Sequence, residues 1–182
     1  MSSILITVPH CCWSGVEVKK HYDRNAEAAA KIIQQHLNIK NELLLGDMPR
    51  KVCDLNRPTS RHTPFRQYIG EWLNKASSTS IVLDVHSFIN IQTGRIGSMF
   101  LNVQLVLLYH PSQIIDDAFI KYLKDECKIN VGVAHSTLGD IRLQTIEAQR
   151  NGMTLEFNSD LTEDELAWIG LCIAHYYNTI MK

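Results

Sequence analysis

Short runs of aliphatic and β-branched residues recur along the chain, and each run predicts a buried strand. These runs lie at residues 4–8, 42–45, 81–85, 100–109 and 153–157. Pro9 and Pro111 follow the first and the fourth run, where proline ends a strand because it cannot donate a hydrogen bond to the ladder.

Segments with apolar residues at helical spacing separate these strands. The predicted helices cover residues 25–37, 63–75, 112–123, 141–150 and 162–176. Ser112 is the expected N-cap of the third helix, and Asn151 with Gly152 is expected to end the fourth. Thr162 and Glu165 form a capping box at the start of the last helix. This alternation predicts an α/β fold, with one sheet covered by helices on both faces.

Composition narrows the class of protein. A chain of 182 residues favours a single domain, spanning residues 1–182, that buries a hydrophobic core. Hydrophobic residues make up 45% and charged residues 20%, which is typical of a globular protein. The formal net charge of -1 argues against nucleic acid or an anionic membrane as a partner.

The cysteine pattern indicates the expected compartment. The five cysteines are odd in number and include no CxxC pair, so we expect reduced thiols rather than a disulfide framework. The first residues lack the basic and apolar regions of a signal peptide, and no apolar run approaches the roughly 20 residues of a membrane span. We therefore expect a cytoplasmic protein.

Polar side chains occur at the ends of several predicted strands. His10 follows the first strand, His86 follows the strand that contains Asp84, and Glu156 lies near the end of the last strand. Ligands bind where parallel strands present their carboxyl ends, and buried polar groups are costly unless they are paired or bound to a ligand. Each residue alone has a structural interpretation, such as a hydrogen-bonded histidine or a carboxylate paired with lysine. Together they predict a zinc site.

The chemistry of such a site assigns a role to each residue. Zinc held by His10, His86 and a third ligand keeps a fourth position for water. Glu156 would take the proton of that water and pass it to the leaving amine. Arg57 would bind a substrate carboxylate, although the segment 56–58 could also be a plain turn.

The order of four short motifs is similar to that of N-formylglutamate amidohydrolases. The motifs are VPH at 8–10, DLNRP at 54–58, DVHS at 84–87 and LEFN at 155–158. The order also resembles that of the zinc carboxypeptidase and succinylglutamate desuccinylase group and of poly-γ-glutamate hydrolases. The resemblance implies a zinc-dependent amide hydrolase on a phosphorylase/hydrolase-like fold, a three-layer α/β/α domain with a mixed sheet.

The resemblance also assigns the site residues. It implies that His10 and His86 bind zinc, that Asn56 and Arg57 hold the substrate's carboxylate, and that Glu156 promotes the attacking water. The expected partner is a small molecule or short peptide that carries a carboxylate.

The third zinc ligand of this family is an acidic residue that follows the first histidine and precedes a helix. Asp23 is the preferred candidate because it stands directly before the helix predicted at 25–37, where it could instead be an N-cap. Glu17 is the alternative ligand, or else an exposed loop charge. Cys11 and Cys12 replace the glycines usual in the family, and they are either packing residues or thiolate ligands.

Two further functions compete with the hydrolase. A protein of the same fold that binds an acidic metabolite without turnover is favoured if the third ligand is missing. A thiol-dependent hydrolase would use Cys11 or Cys12 with His10, but adjacent residues of a strand face opposite sides. The loop at residues 90–98 is long enough to act as a lid, and His135 could line the pocket.

Two arginines complete the list of candidates. Arg50 and Arg142 are interpreted as surface charges, and binding of an acidic substrate is the alternative for both. No GxxxxGK[ST] or GxGxxG motif occurs in the sequence, which disfavours a nucleotide-binding enzyme.

Overall fold

The computed structural model describes residues 2–12, 23, 25–88, 103–137 and 139–181. Its strands are β1 Ile4–Val8, β2 Asn41–Leu45, β3 Ile81–Phe88, β4 Leu105–Tyr109, β5 Val131–His135 and β6 Asn151–Asn158. Its helices are α1 Ala26–His36, α2 Pro64–Lys75, α3 Asp117–Lys121, α4 Asp140–Glu147 and α5 Glu163–Ile180. A 3-10 turn spans Pro58–Ser60, and α3 runs on into a π-helical segment, Tyr122–Glu126.

The strands form one mixed sheet in the order β2-β1-β3-β6-β4-β5. The strands β2, β1, β3 and β6 are parallel, whereas β4 runs antiparallel to β6 and parallel to β5. The carboxyl ends of four parallel strands therefore meet at one edge of the sheet, the place where open α/β sheets bind ligands.

Helices cover both faces of this sheet. The larger core lies on the face covered by α1, α3 and α5, and the smaller core lies on the face covered by α2 and α4. Side chains alternate between the two faces along each strand, so Leu83 and Val85 of β3 pack in the larger core and Val82 packs in the smaller one. The predicted three-layer α/β/α fold is confirmed.

The helix predicted from Ser112 was wrong at its start. The segment after β4 forms a turn in which Gln113 donates to the Gly152 carbonyl at 2.6 Å. The helix begins at Asp117, and Asp116 caps it by accepting from the Phe119 amide. Ile114 is 95% exposed, whereas Ile115 packs against the larger core, so the apolar residues before Asp117 do not form a helix face.

The end of α4 also differs from the prediction. This helix ends at Glu147, and the chain reverses at Gln149, whose φ of 54° is left-handed. Asn151 and Gly152 belong to β6 instead of ending the helix, because they pair with Ile81 and Val82 of β3. None of the described helices combines the length and the apolar character needed to cross a membrane.

Candidate metal centre

Three residues from separate parts of the chain meet at the carboxyl edge of the sheet. His10 follows β1, His86 lies in β3, and Asp23 precedes α1. All three are buried, and the Asp23 amide donates to the His10 carbonyl at 3.3 Å. This backbone contact brings a carboxylate that is distant in sequence next to the first histidine.

The facing atoms of these residues are a set of metal donors. His86 Nδ1 lies 2.8 Å from Asp23 Oδ2, and His10 Nδ1 lies 3.4 Å from the same oxygen. One ligand atom from each residue lies within 4.8 Å of the others. Tetrahedral zinc with bonds of about 2.0–2.2 Å separates its ligand atoms by roughly 3.4 Å, so two imidazoles and this carboxylate fit the ion in number, type and spacing.

Carboxylates also hold the outer nitrogen of each imidazole. His10 Nε2 lies 2.8 Å from Asp54 Oδ1, and His86 Nε2 lies 3.1 Å from Asp84 Oδ2. Thr7 in turn donates to the other oxygen of Asp84 at 2.9 Å. An outer carboxylate fixes the tautomer and the ring orientation of a metal-bound histidine. Here Nδ1 of both rings faces Asp23 Oδ2, and these are the nitrogens that would bind a metal ion.

The electrostatic field at this site attracts positive charge. Burial alone would raise the pKa of Asp23, but hydrogen bonds from His10 and His86 outweigh it and hold that pKa well below its usual range. Burial alone would lower the pKa of His86, but the charge of Asp84 and the hydrogen bond to Asp23 raise it well above its usual value. The same field favours a divalent cation between these groups.

Glu156 lies beside the donor set without belonging to it. It is the register partner of His86 on the neighbouring strand β6, so both side chains are on the same face of the sheet. Burial raises the pKa of Glu156 to about 7, and the charges of Asp23 and Asp84 act in the same direction. A carboxyl group with a pKa near neutrality can both accept and return a proton, as a general base and acid must.

The loop after β2 brings two predicted substrate-binding residues to the site. Asn56 Nδ2 lies 3.1 Å from His86 Nε2, next to the candidate ligands. Arg57 lies further out, where its side chain is 49% exposed and its Nε donates to Asp54 Oδ2 at 3.2 Å. Arg50 donates to the same oxygen at 3.2 Å. The carboxylate of Asp54 therefore links the loop arginines to His10.

Arg142 is not a surface charge. It is 1% exposed, and its guanidinium donates to the Leu108 and Ser136 carbonyls and to Thr154 Oγ1. Its position in the first turn of α4 directs it onto the sheet, where it donates to carbonyls at the ends of β4 and β5 instead of to water. Thr154, Asp84 and Glu156 are polar residues within apolar strands, and they were the sequence signals for a buried positive partner.

The structure also bears on the predictions made for Cys11 and His135. The Cys11 thiol donates to the Val8 and Gly46 carbonyls at 3.3 Å, and burial raises its pKa to about 11. A reactive cysteine has a lowered pKa, so this geometry favours packing over nucleophilic catalysis. His135 is exposed at the end of β5. Glu17 and the loop at 90–98 lie outside the described residues.

Solved structures share this architecture. A gene product from Agrobacterium tumefaciens aligns with a TM-score of 0.70 at 18% identity, over 98% of this chain and 88% of that one. N-formylglutamate amidohydrolase from Ralstonia eutropha aligns with a TM-score of 0.57 at 13% identity, over 95% and 93%. The chain therefore shares the fold of these two proteins. The likeness to N-formylglutamate amidohydrolase predicted from the four motifs is thus confirmed in the fold.

A longer enzyme has the same fold. Succinylglutamate desuccinylase from Chromobacterium violaceum aligns with a TM-score of 0.53 at 14% identity, over 97% of this chain and 60% of that one. No protein-family model and no curated protein sequence matches the chain. At these identities the comparisons establish the fold alone, so function has to be argued from the site.

Proposed function

We propose that the protein is a zinc-dependent hydrolase that cleaves an amide bond in a small carboxylate-bearing substrate. Amides of the N-formyl, N-acyl or γ-glutamyl type are the expected class. One observation carries the proposal: Nδ1 of His10, Nδ1 of His86 and Oδ2 of Asp23 converge, while carboxylates hold both outer imidazole nitrogens. This arrangement is typical of a metal centre and is costly to build for packing alone.

The residues around the centre divide the reaction between them. Zinc, when bound, acidifies a water molecule and polarises the substrate carbonyl. Glu156 accepts the proton from the attacking water on its carboxylate and later donates it to the nitrogen of the leaving amine. Burial raises the pKa of Glu156 above that of an exposed glutamate, which favours its return of the proton to the leaving amine.

Substrate binding falls to the loop after β2. Arg57 presents an exposed guanidinium near the centre, and a guanidinium binds a carboxylate through two parallel hydrogen bonds. Asn56 contributes an amide donor closer to His86. A substrate with a carboxylate near its amide bond can contact this loop and the centre together.

The alternative of a binding protein without turnover depended on a missing third ligand. The contacts of Asp23 with both histidines supply a carboxylate of the required type, which weakens the ground for that alternative. We therefore favour the enzyme and leave the binding protein as an outcome of the test.

The decisive experiment combines zinc content with turnover. We expect elemental analysis to give about one zinc per chain, and hydrolysis of a panel of N-acyl and γ-glutamyl amides to stop on chelation. Glu156→Gln should keep the zinc and lose activity by about 10²–10⁴-fold. The matched control Glu163→Gln changes an exposed glutamate of α5 and should leave both unchanged.

Each other outcome has a defined meaning. Zinc without hydrolysis across the panel would favour the binding protein. Activity that survives zinc removal but is lost in Cys11→Ser would support the thiol route instead. Replacement of Arg57 by methionine should weaken the binding of carboxylate substrates more than the binding of neutral amides. Equal losses of binding would refute the role of Arg57 in binding the substrate carboxylate.

A further inference from the structure

The fixed geometry of the Asn56 loop depends on a buried ion pair outside the metal centre. The Arg66 side chain from α2 is fully buried, and its guanidinium pairs with the carboxylate of Asp140, which is itself 3% exposed. The described contacts of the Arg66 side chain are with Leu55, Arg57, Asp140 and Gln144, and none is with a candidate zinc ligand. The four-motif resemblance includes neither Arg66 nor Asp140.

Arg66 holds the backbone on both sides of Asn56. Its Nη1 donates to the Leu55 carbonyl at 3.0 Å and lies 3.5 Å from the Arg57 carbonyl. Its Nη2 and Nε donate to Gln144 Oε1 at 2.8 Å and 3.0 Å, which fixes the plane of the guanidinium. The loop carbonyls that flank Asn56 are therefore held by one rigid group.

The first turn of α4 holds Asn56 itself. The Asp140 amide donates to the Asn56 carbonyl at 3.3 Å, and the Ile141 amide donates to Asn56 Oδ1 at 3.1 Å. These are orphan amides of a helix N-terminus, which have no partner within the helix. With Oδ1 occupied, the Asn56 side chain can present only its Nδ2 donors to His86, whose Nε2 lies 3.1 Å away.

We propose that Arg66 and Asp140 are positioning residues that fix the Asn56 amide with its N–H donors facing His86, one of the candidate metal ligands. Asp140 contacts both Arg66 and Asn56. Its carboxylate binds the Arg66 guanidinium, and its backbone amide, at the start of α4, donates to the Asn56 carbonyl. A side chain that presents only donors selects for oxygen acceptors of a substrate and against donors. The effect on turnover rests on the proposed function, whereas the geometry of the loop can be tested without it.

The chain offers a matched control in Arg61. This arginine also binds the Asp140 carboxylate, with both contacts at 3.0 Å, but its side chain is 44% exposed and also binds Glu147. The described contacts do not join Arg61 to the carbonyls of Leu55, Asn56 or Arg57. Arg61→Met therefore removes an ion pair from the same carboxylate and leaves the loop contacts in place.

The first arm of the experiment measures amide hydrogen exchange in the full-length protein. Arg66→Lys keeps the charge but loses the planar set of donors. It should speed exchange of the Ile141 amide at least about 10-fold relative to the amides of β3, while Arg61→Met does not. Asp140→Asn keeps the shape of the side chain but removes its charge, and it should speed exchange of the Ile141 amide as Arg66→Lys does. It provides a second variant in case Arg66→Lys fails to fold. Unchanged exchange in both variants would overturn the proposal, whether or not the protein is a hydrolase.

The second arm tests whether the effect passes through Asn56. Arg66→Lys should raise KM for a carboxylate substrate about 10-fold with a smaller change in kcat. The same substitution should cause no further loss in an Asn56→Ala background, because coupled residues are not additive. An equal loss in both backgrounds would show a general structural role and refute the positioning role. If the amide panel gives no hydrolysis, the proposed function fails and the exchange arm still decides this inference.

Discussion

Zinc affinity should depend on Asp54, a residue that does not belong to the donor set. Its Oδ1 lies 2.8 Å from Nε2 of His10, a side chain that is 2% exposed, and it keeps the ring turned so that Nδ1 faces Asp23. Burial would raise the pKa of Asp54, but the hydrogen bond to His10 and the nearby positive charges hold it below its usual range, so it is ionised at neutral pH. Asp54→Ala removes this acceptor and leaves the buried ring free to rotate.

The expected loss follows from the contacts that disappear. Removing an outer carboxylate from a metal-bound histidine typically costs 10–100-fold in metal affinity, which is about 1.4–2.7 kcal/mol. The contacts of Asp54 with Arg50 and Arg57 add little, because ion pairs with side chains this exposed contribute at most about 1 kcal/mol. Asp54→Asn keeps an oxygen that can accept a hydrogen bond from His10. Zinc affinity should therefore fall about 10-fold in Asp54→Asn and about 100-fold in Asp54→Ala.

The assay is a competition titration of zinc against a chromophoric chelator, checked by the rise in Tm on adding zinc. Bound zinc stabilises the folded state by RT ln(1 + [Zn]/Kd), so a tenfold weaker site loses about 1.4 kcal/mol of that stabilisation at saturating zinc. Asp47→Ala, at an exposed aspartate of the same connecting segment, is the control and should bind zinc as the wild type does. Affinity within about twofold of wild type in Asp54→Ala would refute the argument that this carboxylate orients His10.

Three further predictions concern stability. Gly46→Ala should destabilise the protein by about 1–3 kcal/mol in urea unfolding, because an added Cβ would lie 2.3 Å from the Pro9 carbonyl oxygen. Gly170→Ala should destabilise the protein less than Gly46→Ala, because the Cβ would meet the Ile32 side chain at 2.6 Å but alanine favours the helix by about 1 kcal/mol. A change within about 0.5 kcal/mol in Gly46→Ala, roughly the level of a surface substitution, would contradict the first expectation, and a Gly170→Ala loss as large as that of Gly46→Ala would contradict the second. Burial opposes ionisation of Asp140, but the two arginines outweigh it and lower the pKa of its carboxyl group. The ionised carboxylate therefore stabilises the folded state at pH values above the ordinary aspartate pKa of about 3.9, and this stabilisation is lost as pH falls below it. The stability difference between wild type and Asp140→Asn should therefore shrink as pH falls from about 5, and a difference independent of pH would show that the pair contributes nothing through charge.

Local patterns in the sequence were sufficient for most of the secondary structure. The runs at 4–8 and 81–85 are strands because β-branched residues suit a buried sheet, and Thr162 with Glu165 forms the predicted capping box. The segment after β4 shows where this reasoning fails. Its apolar spacing is also compatible with a turn, and the contact of Gln113 with Gly152, distant in sequence, selects the turn.

The sequence predicted only part of the candidate site, because several of its contacts also join residues that are distant in the sequence. A histidine or glutamate in an apolar strand stands out in the sequence because burying it is costly, so His86 and Glu156 could be singled out. Asp23 could not be separated from Glu17 by spacing alone, and its contacts with both histidines come from the chain returning to His10 before α1. The burial of Arg142 and Arg66 was missed because their acceptors, both backbone carbonyls and side-chain oxygens, come from segments distant in the sequence.

By itself, the sequence determined five of the six described strands, the polar residues at their ends and the α/β class of the fold, because periodicity and burial cost act within a few residues. It did not predict β5 at Val131–His135. Only the tertiary structure decided which nitrogen of each imidazole faces Asp23, which carboxylates hold the other nitrogens, and how the Asn56 amide is turned. Those choices depend on hydrogen bonds between residues far apart in the chain, and their directions are set when the parallel strands align their carboxyl ends.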